Sequence, residues 1–174
     1  MIESAPLILT LRMDKESHSF FNQQRLLHFP PSRNFLQAHL TLYHKIPDDA
    51  YTYQVLQDLD KEIFKLAVTG LIHLGNGVAY KIESAALHAL QLKLRSSFEN
   101  ILTAQDKQGF RPHITIQNKV PAETANKLFK DTSGTFKPME AEAVGLDLWR
   151  YLNGPWEHVR FYPFKLINKN LIMI

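Results

Sequence analysis

Residues 111–120, RPHITIQNKV, form the stretch on which the fold prediction depends. Ile114 and Ile116 alternate there with His113 and Thr115. Because successive side chains of a strand point to opposite faces, this alternation predicts a strand whose isoleucines face a core. The other face then carries an imidazole and a hydroxyl. A polar surface strand is the simpler interpretation, and the rest of the chain argues against it.

A second stretch, LQAHLTLYHKI, repeats the pattern. Its motif HLTL at residues 39–42 matches HITI at residues 113–116, so the order His, apolar, Thr, apolar occurs twice in alternating segments. We expect His39, Thr41 and Tyr43 on the open face of this strand. Two copies inside alternating strands are much harder to attribute to chance than one.

The remaining elements place the two motifs at corresponding points of a duplicated chain. The patterns predict strands at 5–13, 36–46, 66–74, 78–83, 111–120, 136–152 and 157–166, and helices at 15–29, 47–67, 85–102 and 121–131. In each half, a His-bearing strand is followed by a helix and a hairpin. This order predicts an α+β fold of antiparallel sheet with helices packed outside.

Composition narrows the classes of function. The 174-residue chain contains no cysteine, which excludes disulfides, thiolate metal sites and a cysteine nucleophile. Its net charge of +3 is compatible with an anionic ligand such as RNA without requiring one. No apolar stretch approaches the roughly 20 residues of a membrane span, and we expect a cytoplasmic protein with no membrane partner.

Two imidazoles suit phosphodiester chemistry. Histidine titrates near neutral pH, so one ring can accept a proton while the other donates one. Such a pair on either side of a phosphodiester activates a nucleophile and protonates the leaving oxygen. Thr41 and Thr115 follow their histidines by two residues, so each hydroxyl lies on the same face and can bind a nonbridging phosphate oxygen.

The paired HLTL and HITI motifs resemble those of the 2H phosphoesterase superfamily, and the chain resembles its 2′-5′ RNA ligase / RNA 2′,3′-cyclic phosphodiesterase branch. The resemblance implies a single bilobal domain over residues 1–174, a duplicated fold with two antiparallel β-sheets facing a central cleft. It further implies that His39 and His113 are the acid/base pair and that Thr41 and Thr115 bind phosphate. No metal or cofactor is expected.

The predicted function is therefore a metal-independent phosphodiesterase that opens 2′,3′-cyclic phosphates of RNA termini or cyclic nucleotides. The same groups acting in reverse would carry out 2′-5′ RNA ligation. One alternative is a non-catalytic module that binds RNA ends in the same cleft. Another is a metal protein using His39, His44, His73 and His113, which the missing zinc-protease spacings disfavour. We expect a monomer.

Several further residues are candidates for the cleft. Arg111 could add positive charge beside the second motif, and Tyr43 and Gln117 continue the open faces of the two strands. His44 is expected on the strand face opposite to His39.

Aromatic and basic residues near the end of the chain leave two interpretations open. His158, Arg160 and Tyr162 alternate on one predicted strand face, which is either a cleft wall or an exposed edge. Trp149 and Trp156, with Tyr151, are either sheet-packing aromatics or surfaces for base stacking.

Overall fold

The computed structural model describes residues 5–166. The strands are β1 Leu7–Met13, β2 Leu40–Ile46, β3 Phe64–His73, β4 Val78–Glu83, β5 His113–Gln117, β6 Met139–Tyr151 and β7 Trp156–Pro163. The helices are α1 Lys15–His28, α2 Ala50–Gln57, α3 Ala85–Phe98, α4 Ala104–Lys107 and α5 Ala122–Thr135, with a 3-10 turn at Pro31–Arg33.

Side-chain caps fix the starts of the helices that precede β5. The Asp14 carboxylate accepts from the Ser17 amide at α1, and Asp49 does the same for the Thr52 amide at α2. The predicted helix over 47–67 is too long, because α2 ends at Gln57 and β3 begins at Phe64. The apolar residues after Gln57 happen to continue the helical spacing of α2. Those that lie in β3 fit the two-residue period of a strand equally well.

All pairs among the named strands are antiparallel. The order is β2-β1-β6-β3-β4-β5, and β7 pairs with β6. The 13-residue β6 connects the two half-sheets, because its first part pairs with β3 and its later part pairs with β7. The predicted antiparallel α+β architecture is confirmed, and the hydrogen bonding adds that the two half-sheets share one long strand.

The two motif strands come together although they lie at opposite ends of the strand order. β2 contacts β5, and α1 packs against β5. One apolar core runs through both halves and includes Leu9, Phe21, Tyr80, Leu90 and Ile114. The sheet therefore curves until the edge that carries the first motif meets the edge that carries the second.

A β-bulge follows the motif in β2. Thr10 of β1 is paired with Thr41, but the preceding β1 residue, Leu9, is paired with Tyr43. Leu42 is therefore an extra residue, and it shifts the alternation of the side chains beyond it by one position. Tyr43 consequently moves to the core face with Leu9.

A second bulge occurs at the corresponding point of β5. Ala79 of β4 is paired with Thr115, whereas Val78 is paired with Gln117. Ile116 is the extra residue here, and Gln117 moves to the face of Val78, which belongs to the core. Both halves thus break their strand directly after the threonine of the motif.

Candidate active site

The first motif lies on a face shared by three strands. Residues directly opposite each other in an antiparallel pair point to the same side of the sheet. Thr10 is opposite both Thr41 of β2 and Asp147 of β6, so these three side chains share one face. His39, two residues before Thr41, continues this face beyond the end of β2.

The His39 ring is held by its own backbone. Its Nδ1 lies 2.7 Å from the Gln37 carbonyl oxygen, and its centroid lies 4.8 Å from that of Trp156. A carbonyl oxygen can only accept, so Nδ1 carries the proton in this bond. In the neutral ring, Nε2 is then the atom that is free to accept a proton.

His113 repeats this arrangement. Its Nδ1 lies 2.7 Å from the Arg111 carbonyl oxygen, again the carbonyl two residues earlier in the chain. Both rings are partly buried, and so are Thr41 and Thr115. The two motifs therefore present the same groups in the same local geometry. The Arg111 backbone has a clear part in this, whereas its side chain is exposed.

The surroundings of His39 disfavour the protonated form of its ring. Burial of the ring lowers the pKa of His39 to about 4, and the positive charges of Arg25, His113 and His44 act in the same direction. The Gln37 carbonyl opposes this shift. An influence of His113 on His39 agrees with the contact between β2 and β5.

Arg25 is a residue of the site that the sequence reasoning missed. Its Nη1 donates to the Thr115 carbonyl oxygen at 3.0 Å, and its Nε donates to the Leu36 carbonyl oxygen at 2.9 Å and to the Asn34 Oδ1 at 2.8 Å. The guanidinium also lies 3.9 Å from the Phe29 ring centroid. Burial lowers the pKa of Arg25 to about 10. This side chain joins the loop before His39 to the strand of the second motif.

Two of the predicted cleft residues are in the core. Tyr43 is fully buried, and its hydroxyl donates to the Gln91 carbonyl oxygen of α3 at 2.7 Å. Gln117 is 4% exposed, and its Oε1 is a buried atom without a protein partner among residues 5–166. Both predictions were wrong for the same reason, because a bulge reverses the strand after each threonine.

The same bulge overturns the prediction for His44. With Tyr43 in the core, His44 returns to the face of His39, and its side chain is half-exposed. Its Nδ1 lies 2.9 Å from Oδ1 of Asp106, whose carboxylate is buried and also accepts from the backbone amide of Lys45. His44 is therefore held by an acidic partner near the motif.

A cavity of about 880 Å³ opens beside His39. We call it the aromatic pocket and define it by six of its lining residues, Arg12, Phe35, Asp147, Trp149, Trp156 and Phe161. His113 is not part of its lining as far as residues 5–166 show. The two tryptophans thus line a cavity that is continuous with the first motif.

A third bulge decides which β7 residues reach this pocket. Leu148 is paired with Arg160, but the next residue, Trp149, is paired with His158, so Val159 is extra. His158 therefore lies on the face opposite to Arg160 and Tyr162, and the predicted shared face of all three is wrong. Tyr162 is buried.

Comparison with protein-family models now gives the family. A model described as the 2′-5′ RNA ligase superfamily matches residues 13–155. The chain belongs to this superfamily. The resemblance inferred from HLTL and HITI is confirmed, and membership supports an enzyme of the phosphoesterase or ligase type.

Solved structures with the same fold include TT0787 of Thermus thermophilus and LigT of E. coli. TT0787 is 17% identical with a TM-score of 0.66, covering 91% of this chain and 97% of its own. LigT complexed with 3′-AMP is 17% identical with a TM-score of 0.64, covering 94% of this chain and 99% of its own. LigT has also been solved with phosphate, ATP and NADP+. No curated protein matches the chain.

Two further structural observations concern metals and membranes. Within residues 5–166, no group of three or more His, Asp or Glu side chains is arranged to hold a metal ion. No helix in that part of the chain has both the length and the apolar character needed to cross a membrane.

Proposed function

We propose that this protein opens 2′,3′-cyclic phosphates at RNA ends or on nucleotides, with His39 and His113 as the acid/base pair. The observation that carries the proposal is the matched support of the two rings. Each Nδ1 is bonded to the carbonyl two residues earlier, at 2.7 Å in both cases. This bond fixes the tautomer and orientation of the ring and leaves Nε2 for the substrate.

In the proposed reaction, water attacks phosphorus and one ribose oxygen leaves. The Nε2 of one histidine takes the proton of the attacking water, and the protonated Nε2 of the other gives its proton to the departing 2′ or 3′ oxygen. The P–O bond to water forms as the bond to the ribose oxygen breaks, and the product is a phosphomonoester. An RNA hydroxyl in place of water gives a phosphodiester, which is the ligation direction of the same chemistry.

Thr41 and Thr115 supply hydroxyl donors to the nonbridging phosphate oxygens in this proposal. Each threonine follows its histidine by two residues, so its hydroxyl lies beside the ring on the same face. Hydrogen bonds to these oxygens stabilise the charge that develops on them during the attack. The strand reverses its faces directly after each threonine, so the threonine is the last residue of the motif on the face of the histidine.

The test is turnover of nucleoside 2′,3′-cyclic phosphates and of a cyclic-phosphate-ended RNA oligonucleotide, in EDTA, by wild type, His39→Ala and His113→Ala. His88→Ala is the matched control, because His88 is an exposed histidine of α3. We expect turnover by wild type and the control and its loss in both motif variants. No turnover by wild type, with RNA binding retained in all four proteins, would favour the binding module instead.

A further inference from the structure

The two motif strands are close together but are not paired with each other in residues 5–166. β2 and β5 stand at opposite ends of the strand order, so each has one edge without a partner strand in this part of the chain. The two strands are nevertheless in contact. The separation of His39 and His113 therefore depends on packing and on side-chain bonds to these strands.

Asp106 makes such bonds to β2. It lies on α4, in the connection between α3 and β5, and only 2% of its side chain is exposed. Its carboxylate accepts from the backbone amides of His44 at 3.0 Å and Lys45 at 3.1 Å, and it lies 2.9 Å from Nδ1 of His44. The Thr103 hydroxyl adds a bond at 3.3 Å. All of these donors except Thr103 belong to β2, so this carboxylate attaches α4 to the strand of the first motif.

The two amides reach Asp106 because β2 is irregular at this point. His44 and Lys45 together lie opposite a single residue of β1, Ile8. The extra residue of such a bulge leaves backbone groups outside the ladder, and a buried amide without an acceptor is costly. The Asp106 carboxylate takes the place of the missing strand partner.

The carboxylate of Asp106 is held in its ionised form. Burial raises the pKa of Asp106, but the bonds from the His44 side chain, the His44 amide and the Lys45 amide lower it by more. The net result is a lowered pKa. Because hydrogen bonds to a charged acceptor are about twice as strong as neutral ones, this carboxylate is a strong point of attachment.

The chain between Asp106 and His113 carries this attachment to the second motif. The Phe110 ring packs against the core, and the Pro112 carbonyl oxygen accepts from an amide of β4 at 3.1 Å. Between these two residues, the Arg111 carbonyl oxygen holds Nδ1 of His113. The segment is thus fixed at several points, so a shift of α4 relative to β2 would also shift the support of the His113 ring.

Arg25 provides the reciprocal attachment. It precedes the first motif and donates to the Thr115 carbonyl oxygen of the second. Asp106 precedes the second motif and accepts from the strand of the first. Both residues are buried. Each motif strand is therefore bonded to a charged side chain from the segment that leads to the other motif.

We propose that Asp106 is a positioning residue for the reaction, which sets the separation of His39 and His113 by holding β2 against the connection that leads to β5. This inference rests on the proposed function for the part that the two rings play. Displacement of a reacting group by about 1 Å can cost about 10²-fold in rate. Loss of the attachment should therefore lower kcat and leave the binding of substrate nearly unchanged.

Steady-state turnover of adenosine 2′,3′-cyclic phosphate by Asp106→Asn tests the effect on the reaction. The substitution replaces one acceptor oxygen by an NH2 group, which cannot accept. We expect kcat to fall at least about tenfold, with KM within about twofold of wild type. Asp131→Asn is the matched control with wild-type kcat, because Asp131 is an exposed carboxylate of α5 paired with Lys127. A wild-type kcat in Asp106→Asn, or a raised KM alone, would overturn the proposal.

His44→Ala separates the backbone bonds from the bond of the ring. It removes the Nδ1 bond and keeps both amide bonds to Asp106, so it should lower kcat less than Asp106→Asn does. An equal loss in the two variants would assign the effect to the His44 ring and contradict the positioning of β2 by Asp106.

Nuclear Overhauser effects between β2 and β5 report the position of the two strands without any substrate. We expect them to weaken in Asp106→Asn, while those between the paired strands β4 and β5 keep their intensity. Unchanged effects between β2 and β5 would refute the proposal. Asp106→Glu, which keeps the charge on a longer side chain, is measured for the same result if Asp106→Asn does not fold.

The two measurements also separate this inference from the function on which it rests. No turnover by wild type, with β2 and β5 displaced in Asp106→Asn, would refute the phosphodiesterase and leave Asp106 as the residue that positions the strands. Turnover by wild type that Asp106→Asn retains in full would leave the phosphodiesterase standing and refute the role of Asp106.

Discussion

The two halves of this molecule agree in their His-x-Thr motifs and differ in the surfaces that surround the motifs. HLTL and HITI share the same Nδ1 bond to a carbonyl and the same bulge after the threonine. The surfaces around the motifs differ, because β7 and the aromatic pocket lie on the side of His39. The local geometry of the two motifs is therefore repeated, whereas the surface beside each motif is not.

Arg25 shows how the two halves are kept in register. It belongs to α1 of the first half, yet it donates to the carbonyl of Thr115 in the second. Its other bonds hold Asn34 and Leu36, in the loop that leads to His39. A single buried guanidinium thus holds the chain beside both motifs. Variants of Arg25 therefore test the link between the two halves, as variants of the histidines do.

The largest expected effect tests whether the two histidines act in one step. His39→Ala and His113→Ala should each lower kcat by about 10²–10⁴, the usual contribution of a general acid or base. The double variant should be little worse than either single variant, because residues that act as a unit are not additive. Losses that multiply in the double variant would mean that the two rings act independently, contrary to the proposed reaction.

Removing Arg25 should break the register between the halves. In Arg25→Gln, the partly buried carbonyls of Leu36 and Thr115 lose their donor, at a cost of up to about 1–3 kcal/mol for each group left unsatisfied. Urea denaturation measures this loss, with Arg25→Lys as the variant that keeps the charge. A change in the free energy of unfolding below about 0.5 kcal/mol would show that Arg25 does not hold the two strands.

The same two variants assign the role of His39. The positive charge of Arg25 contributes to the lowered pKa of His39, so Arg25→Gln should raise that pKa and Arg25→Lys should change it less. One limb of the plot of kcat/KM against pH reflects the titration of His39. That limb should therefore move to higher pH in Arg25→Gln. Movement of the acidic limb identifies His39 as the base, and movement of the alkaline limb identifies it as the acid. Identical profiles in wild type and Arg25→Gln would contradict the coupling.

A smaller effect concerns stability in acid. The pKa of His39 is about 4 in the folded protein against 6.5 as the reference value. Between these values the unfolded chain binds a proton that the folded protein does not, so the free energy of unfolding falls as the pH drops through this window. His39→Asn should make that fall shallower, as measured by urea denaturation from pH 7 to pH 4. The same urea series on His113→Asn extends the measurement to the second motif. If the free energy of unfolding fell equally steeply with pH in wild type and in His39→Asn, the prediction would be refuted.

The smallest expected effect tests the bulges. Tyr43→Phe removes the hydrogen bond to the Gln91 carbonyl and should cost about 1 kcal/mol of stability without changing kcat. Thr41→Val, two residues earlier on the cleft face, should lower kcat/KM with little effect on stability. If Tyr43→Phe reduced kcat while Thr41→Val did not, the assignment of faces around Leu42 would be wrong.

Much of the fold followed from local pattern. Alternation of apolar residues predicted the strands that carry both motifs, and the structure contains them as β2 and β5. The helix predicted over 47–67 was too long, since residues after α2 fit a helix and a strand equally well. Periodicity identifies an element best where only one period fits its residues.

What the sequence by itself determined is the pair of motifs, the antiparallel α+β class, and a duplicated order that puts His39 and His113 at equivalent places. The tertiary structure decided the rest. Bulges at Leu42, Ile116 and Val159 depend on the partner strand, so no local pattern shows that Tyr43 and Gln117 turn inward. Arg25 and the aromatic pocket bring together residues far apart in the chain, and only the folded arrangement of helix and sheet makes them neighbours of the motifs.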